Sequence, residues 1–308
     1  MGCSPGDDGY WMGQTEVTVE AYKRHVRATG KSMPDEPGYA DKNLNPGWRS
    51  DDLPITMVSW TDAQDFCEWA GGLRLPREAE WEYAARAGST AARYSALDDI
   101  AWYGDNSGNA KLDAAQVLKE DAGNYGKRIM ANGKRPHAVG QEQANGFQLS
   151  DMLGSVWEWT GDWLKDTYYK ESPSEDPQGP PGGELRVLRG GSWGNGSRFT
   201  RASHRVDNRP SVRFSYIGFR CVGEKLVLDS FFFYLYSVIF RGLTERGSKF
   251  RAATPHGEFF SHSVGKLQLT QSFTFAVPLG GLPFGQPTTS HYNQSQYRPS
   301  SPLNPTSP

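Results

Sequence analysis

All ten tryptophans of this 308-residue chain lie between Trp11 and Trp193, and none follows. Side chains this large are stabilised by burial in a shared core. Their distribution therefore predicts one packed unit that ends soon after Trp193. The charge balance changes in the same region. Residues 1–223 carry 31 acidic and 26 basic side chains, whereas residues 224–308 carry 4 and 7. The later stretch also holds ten of the fifteen Phe residues and a Ser/Pro/Gln/Asn-rich end. We place the domain over 1–223 and read 224–308 as an atypical tail, apolar at first and then disordered. The apolar run 226–240 is short for a bilayer and contains Asp229, so no membrane span is expected. A net charge of −2 leaves no bulk field for a polyanion, and no nucleic-acid partner is expected.

Within the domain, the 35 Gly and 20 Pro of the chain point to a loop-rich fold. Three helices are legible. Thr18 caps one whose face carries Val19, Tyr22 and Val26, and Gly30 stops it. Thr61 with Gln64 suggests a capping box for a second, with Ala63, Phe66, Cys67 and Ala70 as its apolar stripe before Gly71-Gly72. Pro76 suits the first position of a third, which runs over 78–87 to Gly88. From 88 to 183 the signals are those of turns. Strand candidates are 55–60, 184–188 and 217–222. The class is α+β, irregular, with little regular secondary structure.

Three cysteines, Cys3, Cys67 and Cys221, make no disulfide framework and lack zinc-ligand spacing. Cys67 and Cys221 read as small buried core residues. No signal-peptide pattern is visible, so a reducing, cytoplasmic setting is the default expectation.

Five ordered motifs carry a specific resemblance. They are Arg74-Leu75-Pro76-Arg77-Glu78-Ala79-Glu80-Trp81-Glu82-Tyr83, Asn145-Gly146-Phe147, Asp151-Met152-Leu153-Gly154-Ser155-Val156-Trp157-Glu158-Trp159, Arg189-Gly190-Gly191-Ser192-Trp193 and Gly218-Phe219-Arg220-Cys221. Together they resemble the formylglycine-generating enzyme, or sulfatase-modifying factor, domain over about residues 10–222. The resemblance implies a C-type-lectin-like fold. Residues 1–6 resemble the family's opening strand and turn, with the segment before Tyr10 shortened.

The activity is not expected to transfer. The family's enzymes use two cysteines three and eight residues past the serine of the Arg-Gly-Gly-Ser motif, where thiolates hold copper. Here those places are Asn195 and Thr200, so no catalytic residue is assigned and no copper is expected. The six histidines show no ligand spacing, so no iron is expected either. The runner-up reading is an enzyme of the same superfamily with an altered site. The family's calcium-type site does match: the side chains of Asp151 and Glu158 and the carbonyls of Gly154 and Val156 would hold a structural Ca²⁺. Alternatively, Glu158 pairs with an arginine. Residues 190–194 also fit Gly-x-Ser-x-Gly, but no amphipathic helix or correctly ordered acid and histidine follows.

Residues 194–217 contain no Lys, Glu, Gln, Met or Trp. Those five share the property that none has a codon ending in a pyrimidine. The other fifteen are what an Asn codon becomes when its two adenines are randomised. Set between two family motifs, this segment resembles the variable region of the proteins of diversity-generating retroelements, which are often built on this scaffold. The resemblance implies a diversified surface for a protein or other macromolecular ligand. Its contact residues would be Trp193, Gly194, Asn195, Gly196, Phe199, Thr200, His204, Val206, Asp207, Val212, Phe214, Ser215 and Tyr216. Arg198, Arg201, Arg205, Arg209 and Arg213 would be scaffold. An ordinary solvated surface is the competing reading.

Overall fold

The structure, a computed structural model, describes residues 9–224. The expectations for residues 1–6 and for the tail beyond Glu224 lie outside the described residues.

Strand β1 (Tyr10–Met12) leads into helix α1 (Val19–Thr29). The helix forms where its caps predict. Thr18 Oγ1 accepts the Ala21 N–H at 3.2 Å, and Gly30, at φ 72°, donates back to Val26. Its buried face carries Val19, Tyr22 and His25. Two short strands, β2 (Gly38–Tyr39) and β3 (Lys42–Asn43), pair as a hairpin.

Helix α2 (Trp60–Trp69) starts earlier than the Thr61 box suggested. Ser59 is the cap: its Oγ accepts the Asp62 N–H at 3.1 Å, and Asp62 Oδ2 accepts the Ser59 N–H at 2.7 Å. A carboxylate in the first turn also favours this start, because it faces the positive end of the helix dipole. Helix α3 (Glu78–Arg86) begins after Pro76 and ends at Ala87, in the left-handed region at φ 46°. Its first N–H is taken by a distant residue, Asp162, whose Oδ2 lies 2.7 Å from Glu78 N.

The stretch that reads as turns holds more structure than its sequence suggests. Helices α4 (Leu97–Ile100), α5 (Ala114–Glu120) and α6 (Tyr125–Ala131) lie there, followed by strand β4 (Trp157–Trp163) and helix α7 (Tyr168–Glu171). The helices are too short for apolar periodicity to register. In β4 the first four residues are buried on both faces, so no alternation marks it as a strand.

Strands β5 (Arg186–Arg189), β6 (Arg205–Asn208) and β7 (Ile217–Gly218) complete a four-stranded sheet in the order β6-β5-β4-β7, with β4 and β7 parallel. The candidate strand 217–222 is thus split. Strand β8 (Val222–Glu224) leaves the sheet to pair with β1. The candidate strand at 55–60 does not form. Met57 takes φ 60°, which breaks the extended backbone, and this segment makes single hydrogen bonds from Ile55 to Val17 and from Met57 to Phe214.

Trp159 and Leu188 on one sheet face pack with Phe66 of α2 and Tyr22 of α1. Trp81 of α3 anchors a second core with Leu149 and Met152, and Trp193 a third with Ile129 and Val156. Trp81, Trp159 and Trp193 are fully buried. Burial of each contributes at most roughly 4–6 kcal/mol of apolar transfer.

One expectation is corrected. Cys67 of α2 and Cys221 are joined in a disulfide, with their Cα atoms 5.6 Å apart. They are buried, as expected, but they are not separate thiols. Their sequence separation of 154 hid the pairing from the sequence.

Candidate functional site

The segment with the restricted alphabet begins where β5 ends. Gly190 and Gly191 take φ 99° and 89°, a conformation that side chains disfavour, and so turn the chain across the end of the sheet. Ser192 and Trp193 are buried beneath it. The Ser192 hydroxyl and the Trp157 indole both donate to Asn195 Oδ1, at 2.6 and 2.8 Å. A 3₁₀ turn (Ser197–Phe199) follows, then edge strand β6, and then the return to β7.

The contact candidates fall into three sets. Trp193, Gly196, Thr200 and Ser215 are buried and do not reach the surface. Gly194, Asn195, Phe199, His204, Val206, Val212, Phe214 and Tyr216 are half-buried. Within this second set, His204 packs against Phe199 and Trp157 (ring centroids 5.3 and 5.9 Å), while Phe214 stacks on Tyr216 at 5.1 Å. Tyr216 in turn meets Tyr39. Phe199, Val206, Val212, Phe214 and Tyr216 all rest on the first core. Asp207, also half-buried, forms the third set. Strand alternation turns it to the opposite sheet face from Val206, beside Arg205.

Two arginines of the segment tie it to the frame. Arg205 pairs with Glu78 at 2.7 Å, and Arg213 pairs with Asp62. The other supports come from residues distant in the chain. Gly104 N–H donates to the Asn195 carbonyl at 2.7 Å, Ser107 Oγ to that of Trp193 at 2.6 Å, and the Tyr125 hydroxyl to that of Gly194 at 2.5 Å. Arg93 Nε donates to the Thr200 carbonyl at 2.9 Å. No sequence motif marks these residues, because each acts on backbone atoms far along the chain.

His204 is held neutral. Burial, reinforced by Arg201, pushes it down to about 4, and its Nε2 is buried without a partner. Thr200 Oγ1 is likewise buried and unpartnered. A cleft of about 230 Å³ opens beside the segment, lined by Tyr22, Met33, Asp62 and the segment's own Arg213.

On the far side of Trp81 lies a buried charged group. The Glu158 carboxylate accepts from Arg220 Nε at 2.7 Å, from Arg220 Nη2 at 2.8 Å and from the Trp81 indole at 2.9 Å. The arginine pairing weighed for Glu158 is therefore present. Asp151 takes a left-handed φ of 57°, and its Oδ2 accepts the Gly140 N–H at 2.5 Å. Its Oδ1 is buried without a partner. Gly154 and Ser155 are also left-handed, at φ 80° and 52°, so the backbone curls here. An orphaned carboxylate oxygen in an oxygen-rich curl fits a hard cation at Asp151. The donor set at Glu158 fits one poorly. Among the described residues, no cluster of three or more His, Cys, Asp or Glu side chains converges to hold a metal. No helix among the described residues is long and apolar enough to cross a membrane.

Residues 7–225 match the Sulfatase-modifying factor enzyme 1-like domain. The chain is 37% identical over 174 residues to a formylglycine-generating enzyme of Streptomyces coelicolor, covering 56% of this chain and 52% of that one. It is 34% identical over 179 residues to the inactive C-alpha-formylglycine-generating enzyme 2 of Mus musculus, covering 56% and 50%. The chain thus spans about half the length of these relatives. Its fold matches that of Treponema denticola variable protein 1 with a TM-score of 0.51 and 25% identity, over 70% of this chain and 84% of that one. With its motifs, its irregular α+β architecture and a domain match covering most of the chain, the protein belongs to the sulfatase-modifying factor family and has that family's C-type-lectin-like fold.

Proposed function

We propose that this protein binds a macromolecular ligand, most simply another protein, through the 194–217 surface, and that the surface is diversified on a sulfatase-modifying-factor scaffold. One observation carries the reading. Phe199, Val206, Val212, Phe214 and Tyr216 combine core packing beneath with partial exposure above. Anchors held this way lose little entropy on binding, and aromatic side chains supply contact area. The backbone of 193–195 is fixed by hydrogen bonds from 104–125, which holds the start of the segment on the rigid frame. The shared fold of a protein called a variable protein agrees with this.

The test is genetic and physical. A near-copy of the 194–217 coding segment, differing at adenines and lying beside a reverse-transcriptase gene, is the expected finding. A library varied at Asn195, Phe199, His204, Val206, Phe214 and Tyr216 is expected to stay folded and to yield binders to chosen proteins. General unfolding of that library would sink the reading.

The 37% identity to a formylglycine-generating enzyme favours a second reading, an enzyme with an altered site. By the motif resemblance Asn195 and Thr200 would stand at the family's cysteine positions, and among the described residues both cysteines are tied in one disulfide. Copper uptake with oxidation of a thiol peptide would establish this alternative over the first.

A further inference from the structure

The arginines of 194–217 differ in how they are held. Arg205 and Arg213 are ion-paired with the frame, to Glu78 and Asp62. Arg201 is anchored without an acid: its Nε donates to the Arg198 carbonyl at 2.8 Å, and its Nη2 lies 3.4 Å from His204 Nδ1. Arg93 reaches the same turn from outside the segment. Its Nε donates to the Thr200 carbonyl at 2.9 Å and its Nη2 to that of Ser197 at 2.5 Å. Two guanidiniums thus meet on one 3₁₀ turn, and among the described residues neither has a carboxylate partner. Arg198, exposed on that turn, stands over the Phe199 ring at 4.5 Å.

The local field is positive. Burial, and then the like charge of Arg201, lowers the pKa of Arg93. The charges that act on His204 are Arg201, Arg189 and Arg198, all of one sign. Arg189 is answered by Glu82, which leaves the excess with the residues of the turn. Crowded cations withdrawn from water without a counterion are unfavourable. A carboxylate relieves them, because its two oxygens match the guanidinium fork in charge and shape. Arg93 and Arg201 are half-buried, and the Nη1 group of each makes no hydrogen bond among the described residues. A nucleic acid also offers anions, but residues 1–223 carry 31 acidic against 26 basic side chains. A chain of evenly spaced phosphates meets that repulsion along its length, whereas a protein can set a few carboxylates on the turn alone.

We propose that Arg93, Arg198 and Arg201 form a fixed carboxylate-binding edge of the 194–217 surface, and that the partner is a protein presenting clustered Asp or Glu side chains to it. This rests on the reading of 194–217 as a binding surface and adds the chemistry of the partner. Arg93 belongs to the frame, and the other two arginines flank Phe199 on its turn. The constant edge selects the class of partner by charge, and the side chains around it choose among members of that class.

The test titrates the full chain with fluorescein-labelled octaglutamate, octalysine and octathymidylate, with binding read by anisotropy at low and high salt. Octaglutamate is expected to bind about tenfold more tightly than either of the others, and to weaken as salt rises. Arg93→Gln and Arg201→Gln are each expected to lose about tenfold in octaglutamate affinity. Arg201→Lys is expected to fall between them and the wild type, because it keeps the charge without the fork. Arg27→Gln removes an exposed cation of α1 and is expected to bind as the wild type does. An equal loss in Arg27→Gln would reveal a general charge effect and overturn the site. Octathymidylate binding as tight as that of octaglutamate, lost in the same variants, overturns the protein partner in favour of a nucleic acid. If the wild type shows no preference for octaglutamate while the varied library yields binders to chosen proteins, the acidic partner is overturned and the binding surface stands. If the library fails as well, both fall. Arg93→Gln also removes two bonds to the turn; should it fail to fold, Arg201→Gln and Arg201→Lys carry the same decision.

Discussion

Glu158 and Arg220 face each other in the middle of the protein, both fully buried, through hydrogen bonds of 2.7 and 2.8 Å. Arg220 also reaches the carbonyls of Gly13 and Ser150, at 3.1 Å each. One guanidinium thus joins β4, the segment after β1 and the loop before Asp151. Breaking a buried pair from one side leaves the other charge uncompensated. Arg220→Met is expected to destabilise by about 3–5 kcal/mol, read as a shift in denaturant midpoint. Adding Glu158→Gln should recover part of that loss, and simple additivity of the two variants would contradict the pairing.

The disulfide between Cys67 and Cys221 closes a loop of 154 residues, so it restricts the unfolded chain strongly. The Cys67→Ser, Cys221→Ser double variant is expected to lose about 3–5 kcal/mol, and reductant should lower the melting point of the wild type alone. Under denaturing, non-reducing conditions an alkylating reagent should label Cys3 and spare the other two. Labelling of all three would contradict the bond.

Asp162 caps α3 while Gly179 presses on its carboxyl group: a Cβ on Gly179 would stand 2.4 Å from Asp162 Oδ1. Burial, and then the charge of Glu78, pushes its pKa up to about 7. A folded-state value above the unfolded one, about 4, means that protonation favours the fold. The associated stability is fully present below pH ~4 and is lost as the pH rises through about 7. Asp162→Asn, which keeps an acceptor for Glu78, should therefore match the wild type at acid pH and exceed it by roughly 2–4 kcal/mol at pH ~8. Parallel pH profiles for the two proteins would refute this.

Arg186 is clasped between Trp60 and Trp163, its guanidinium carbon 3.8 and 3.4 Å from the two ring centroids. Burial pushes its pKa down to about 10. It remains charged at neutral pH, and the stacking depends on its planar shape. Arg186→Lys keeps the charge and loses the stack, and is expected to cost about 1–2 kcal/mol. A neutral result in chemical denaturation would show that charge alone suffices.

The fold could be read from the sequence where its signals are local. Thr18 and Gly30 delimit α1 because a cap acts within one turn of its own helix. The five motifs locate the scaffold, and the segment with the restricted alphabet, 194–217, is for the most part half-buried. Three elements misled for physical reasons. Met57 bends a run that looks like a strand, Ser59 outcompetes Thr61 as a cap, and α4 to α6 are shorter than their period can reveal. Within the candidate surface, composition could not separate Thr200 and Ser215, which are buried, from Phe199 and Tyr216, which are partly open.

The sequence by itself determined where α1, α2 and α3 form and which family supplies the scaffold. Those properties arise from interactions within a few residues or from ordered motifs. Tertiary structure alone decided that Cys67 meets Cys221, that Asp162 caps α3, that residues 104–125 support 193–195, and that Arg93 meets Arg201 on one turn. Each of these pairs distant residues, and the contact is set by how the whole chain buries its tryptophans. No local preference of either partner encodes the other.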